Sequence, residues 1–168
     1  MIDCMAMTMI WIYSSVSDLK NYRIPNYIVV GGWLAGIGWR YSVQGIMGVC
    51  RGIGVILISL LIAWMAYRVH AMGAGDLKLW TVIGAFYPLS FSLRVAVVWI
   101  FLAGAAALIR LCRTGGGKAR FQYLFQYLLY DRKGAYYVPE RDGRQMVLPM
   151  APFLAVAYYI VYMFTALL

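Results

Sequence analysis

Apolar residues run along this chain in six long stretches, each ended by a short polar break. The first, 2–18, carries the aromatic pair Trp11 and Tyr13 and closes on Ser17 and Asp18. Further stretches follow at 26–40, 52–68, 77–92, 94–110 and 147–167. Residues 40–51 read as a short loop, and Arg94 marks another turn. A helix needs about 17–25 apolar residues to cross a bilayer, and these stretches lack the period-two alternation of transmembrane strands. The pattern predicts an all-α integral membrane protein, a six-transmembrane-helix bundle forming a single domain. Pro25 suits the first turn of a new helix, where no N–H donor is needed. Pro88 is expected to end or kink the fourth span. Gly31, Gly32, Gly36 and Gly38 in the second span read as packing residues that let helices approach closely.

Residues 110–146 form the longest polar region. Gly115, Gly116 and Gly117 read as a hinge. Phe121, Leu124, Phe125, Leu128 and Leu129 then recur at helical spacing, with Gln122 and Gln126 elsewhere on the wheel. That predicts a short cytoplasmic amphipathic helix lying on membrane lipid. Asp142-Gly143 is a turn signal, and Pro149 and Pro152 stand near the start of the last span.

Composition strengthens the membrane reading. The chain is 64% hydrophobic and 12% charged, against about 25% charged in a soluble domain. Its mean hydropathy is +0.74. The net charge of +9 invites a nucleic-acid reading, but no nucleic-acid motif accompanies it. Loop charge explains it instead. With six spans, Arg40, Arg51 and Arg94 fall on one side and the other lysines and arginines on the opposite side, which is therefore cytoplasmic. Both termini are then outside. Cys4, Cys50 and Cys112 are odd in number, widely spaced and without a CxxC pair, so they read as small apolar residues. The N-terminal run lacks a basic lead and a small-x-small site, so it does not read as a cleavable signal.

One polar stretch stands out within this apolar chain: Gly73-Ala74-Gly75-Asp76-Leu77-Lys78. A carboxylate at a helix centre in a membrane costs roughly 2.5–3.5 kcal/mol, so it marks a functional site by default. The two glycines are expected to let the backbone turn tightly and to leave space beside the acid. Asp18 alone has a comparable position, and in the six-span topology both acids fall at cytoplasmic span ends, at similar depth. Two carboxylates sharing a water cannot both ionise easily, so one keeps its proton while its partner activates the water. This is aspartyl-protease chemistry, and it calls for no metal and no cofactor. Bland readings stand beside it. Asp18 can be an interfacial acid paired with Lys20 or Arg23, Lys78 a positive-inside residue, and His70, the single histidine, a loop residue without a second histidine for a metal.

Asp18 followed by Ile24-Pro25-Asn26, then the 73–78 motif one helical hairpin later, resembles the type IV prepilin peptidases, of the GxGD class of membrane aspartyl proteases. The stretch Leu148-Pro149-Met150-Ala151-Pro152-Phe153 is similar to that family's proline-containing approach to its last helix. The resemblance implies a catalytic pair, Asp18 and Asp76, supported by Pro25, Asn26, Gly73, Gly75 and Lys78. It also implies a substrate: a pilin-like precursor with a short basic leader, cut at the cytoplasmic face of the bacterial inner membrane before a hydrophobic helix. Larger members add a cytoplasmic domain with paired cysteines and methylate the new N-terminus. This chain shows neither feature, so methyltransferase activity and S-adenosylmethionine binding are not expected. Two other readings remain open: a small proton-coupled transporter using the aspartates as carriers, and a non-catalytic pilus or secretion assembly protein.

Overall fold

A computed structural model describes residues 2–21, 23–68, 72–113 and 148–167. His70, the glycine hinge, the amphipathic stretch and Asp142-Gly143 lie outside them. The chain divides into two compact units, 1–101 with 149–168, and 102–148. The first holds both motif acids; the described part of the second is chiefly the continuation of one helix.

Apart from short connections, the described residues form five helices: α1 (Ile2–Asn21), α2 (Asn26–Arg68), α3 (Ala74–Phe86), α4 (Leu89–Arg113) and α5 (Ala151–Leu167). Six separate spans are therefore not what these residues show. Two helices are long and apolar enough to cross a membrane, α2 and residues 89–110 of α4. Only 28% of the apolar window of α2 is buried inside the protein, unlike the core helix of a soluble domain. Met9, Leu34, Leu57, Phe101 and Phe164 all face outward. Hydroxyls on the apolar helices satisfy themselves locally: Thr8 donates to the Cys4 carbonyl and Ser14 to that of Ile10.

Residues 40–51, expected as a loop, are helical on both sides of Gly45. Gly45 has φ 62° and ψ −151°, a conformation that side-chain-bearing residues rarely adopt. One residue therefore breaks α2 into two arms, 26–44 and 46–68. The arms fold back on each other: a Cβ on Gly48 would meet the Arg40 carbonyl oxygen at 2.6 Å. In a straight helix those residues would stand about 12 Å apart.

α3 is the centre of the first unit. Leu77 and every residue from 79 to 86 are buried. A helix apolar on all sides belongs in an interior. Both arms of α2 cover it. Gly36 leaves room for Ala85, whose Cβ would lie 2.5 Å from an added methyl, and Gly84 faces Val55 and Ser59. Trp33 Nε1 donates to Thr81 Oγ1 at 3.1 Å, and Trp80 Nε1 to the Ser92 carbonyl of α4 at 2.9 Å. At about 20 Å long, α3 is shorter than a hydrocarbon core of about 30 Å.

The fourth and fifth stretches are also divided differently from expectation. Pro88 does end the fourth helix, but early. Tyr87 adopts φ −119°, ψ 159°, the extended form imposed on a residue before proline. α4 then starts at Leu89, so Arg94 lies within a helix and marks no turn. A lone exposed cation on a helix flank does not break it.

Candidate active site

Asp76 sits in the first turn of α3, and not in a loop before it. Gly73 is the N-cap residue, with φ −66° and ψ 142° and no side-chain hydrogen bond to the helix. Its carbonyl accepts the Leu77 N–H at 3.2 Å. These are ordinary dihedrals, so the tight turn expected of the glycines is not what they provide. The expected space is present at Gly73, where an added Cβ would stand 3.0 Å from Asp76 Oδ2. Gly75 is different: its Cβ would make ordinary contact with Ile24 at 3.7 Å. That contact brings the 24–26 motif against the 73–78 motif.

Asp18 lies in the last turn and a half of α1, which continues three residues beyond it. It is 5% exposed. Position alone disfavours a carboxylate at a helix C-terminus, where the helix dipole is negative. A second helix offsets this. The main-chain N–H of Ala151, first residue of α5, donates to Asp18 Oδ2 at 2.9 Å in the interior. The start of α5 is held in turn by Trp99, whose Nε1 donates to the Met150 carbonyl at 3.3 Å. The end of α1 is tied to the next connection by Ser17 Oγ, donating to the Arg23 carbonyl at 3.0 Å.

The two acids are close enough to influence each other. The charge of Asp18, at the end of α1, acts on Asp76 at the start of α3. Two carboxyls that act on each other can divide the work of taking and giving a proton.

The remaining motif residues have lesser places. Pro25 immediately precedes α2, one residue before the predicted position, and its carbonyl accepts the Ile28 N–H at 3.1 Å. Lys78 Nζ donates to Asn26 Oδ1 at 3.4 Å on the exposed surface, a long contact that joins the first turns of α2 and α3. Among the described residues no group of three or more His, Cys, Asp or Glu is placed to hold a metal. Sequence reasoning missed the Ala151 amide. Its signal was the 148–153 stretch, whose Pro152 lacks an N–H and whose Met150 has no strong side-chain acceptor to cap the helix.

A family model described as the type IV leader peptidase family matches residues 5–109. The match takes in Asp18, Ile24-Pro25-Asn26 and the whole 73–78 motif, and ends before α5. Neither the curated proteins nor the solved structures gave a match. With well over half its length matched and both motif acids inside the matched stretch, the chain belongs to the type IV leader peptidase family, a family of membrane proteins.

Proposed function

We propose that this chain is a membrane-embedded aspartyl endopeptidase that removes the leader peptide from type IV prepilins or pilin-like precursors at the cytoplasmic face of the bacterial inner membrane. The observation that supports the reading is the electrostatic interaction between Asp18 and Asp76. They stand on different helices, each at a helix end. Family membership supplies the reaction class.

The pair acts on one water between the carboxyls. The ionised carboxylate takes a proton as the water oxygen attacks the scissile carbonyl carbon. The protonated carboxyl gives its proton to the developing oxyanion. Breakdown of the tetrahedral intermediate then breaks the C–N bond: the proton taken from water goes to the leaving amine, and the hydroxyl formed from the oxyanion returns its proton to the second carboxylate as the C=O bond re-forms. Interacting acids titrate as a unit, so the two roles belong to the pair. The chemistry uses no metal and no cofactor.

The topology is part of the proposal. α1, the two arms of α2, α3, α4 and α5 supply six segments, with both termini outside and the motif acids on the basic, cytoplasmic side. The concentration of lysines and arginines in alternate connections, with only Arg40, Arg51 and Arg94 on the other side, supports it.

The test is to reconstitute the protein in liposomes and add a precursor with a short basic leader ahead of an apolar helix. The expected product is a single cut at that boundary, read as a new N-terminus by mass spectrometry. Proton-driven solute uptake without cleavage would favour the transporter reading instead.

A further inference from the structure

Among the described residues, Asp18 takes its hydrogen bond from the main chain and not from a side chain. The geometry of that donor is unusual for a helix start. The first N–H groups of any helix have no partner within it, and a Ser, Thr, Asp or Asn just ahead commonly receives one. In α5 the residue ahead is Met150, whose carbonyl accepts the Leu154 N–H at 3.1 Å and so opens the helix. Its thioether is a weak acceptor. Pro152 has no N–H to offer. The Ala151 N–H is left pointing out of the helix, and the group that receives it comes from α1, 133 residues earlier.

Both partners are enclosed: Ala151 is 1% exposed and Asp18 5%. The donor is itself fixed. Trp99, 1% exposed, holds the Met150 carbonyl from α4. The contact occupies Oδ2 only; Oδ1 accepts no hydrogen bond from the described residues.

We infer that the main-chain N–H of Ala151 is a positioning group for Asp18, fixing Oδ2 so that Oδ1 is the oxygen presented to the reacting water. The inference rests on the peptidase reading. It extends the active site to the start of α5, beyond the residues 5–109 that the family model matches. A hydrogen bond of this length is directional, which suits it to holding one carboxyl orientation.

A helix cap that only stabilises α5 would show the same bond, so the test must separate rate from stability. In the full-length protein, Ala151 is replaced by its α-hydroxy acid analogue, which turns one amide into an ester and removes one N–H. Ala151→Gly, which keeps the N–H, is the control. The probe is a synthetic precursor with a basic leader and an apolar helix, assayed in liposomes well below every melting midpoint. For a misplaced catalytic group the ester is expected to lose roughly 10–100-fold in kcat. KM is expected to stay within about twofold, because binding is not what the bond serves. Ala151→Pro, which also lacks the donor and suits a first helical position, is expected to follow the ester.

An ester that melts lower yet keeps the kcat of the glycine control would overturn the inference and leave a plain cap. A rise in KM alone would overturn it too. A second readout needs no turnover: the Ala151 amide proton, observed with isotope-labelled alanine, is expected to shift upfield in Asp18→Asn. An unmoved resonance contradicts the bond. If Asp18→Asn and Asp76→Asn both cleave the probe like wild type, the peptidase reading itself fails, and this inference falls with it.

Discussion

The two ends of α3 are finished in opposite ways. At the C-terminal end everything is closed. Arg40, 7% exposed, donates from Nε to the Ala85 carbonyl at 2.8 Å, with an outer nitrogen 3.5 Å from that of Gly84. These carbonyls have no partner in the helix, and a cation suits the negative end of its dipole. The Tyr87 N–H closes on the Ile83 carbonyl at 2.9 Å. At the N-terminal end Gly73 provides no side-chain cap, and a partly buried acid stands beside a second acid. One end contributes stability; the other gives some up. A partly buried carboxyl facing another acid adds little to structure and is placed to handle a proton. The tied end lets the helix tolerate the costly one.

Removing the tie should have the largest effect on stability. Arg40→Ala leaves two buried carbonyls without their cation and is expected to cost about 3 kcal/mol. Thermal unfolding in detergent measures it, and cleavage per folded molecule is expected to survive. A rate loss at unchanged stability would mean that the tied end serves the chemistry directly. Gly36→Ala comes next. Its methyl meets Ala85 at 2.5 Å for Cβ and 2.9 Å for the main-chain carbon, neither a flexible side-chain tip. The expected cost is about 1–3 kcal/mol.

The smallest effect is expected from Lys78→Ala. Its 3.4 Å contact with Asn26 is exposed, so the change should stay within about 0.5 kcal/mol.

The open end was the more legible of the two. Asp76 announces itself as an acid in an apolar chain, and Asp18 as the acid at the end of the first apolar run. Their order and the Ile24-Pro25-Asn26 motif led to the family that the model match bears out. The closed end was hidden. Arg40 read as loop charge because a basic residue between apolar stretches ordinarily faces water, whereas here it is folded under the Gly45 reversal. The reversal between the second and third stretches was expected, but as a loop of several residues; a single glycine with positive φ makes it instead. Gly73 was half legible: of the turn and the space expected of it, it supplies the space. The Asp18–Ala151 bond could not be read as a pairing at all, because main-chain donors carry no residue signature.

The central claim is that Asp18 and Asp76 are one catalytic pair, and it is tested most directly by precursor processing in membranes. Wild type, Asp18→Asn and Asp76→Asn are compared at matched expression on a pilin-like substrate that wild type cuts. The account predicts cleavage by wild type and by neither variant, with both variants folded. Full cleavage by either variant would contradict it.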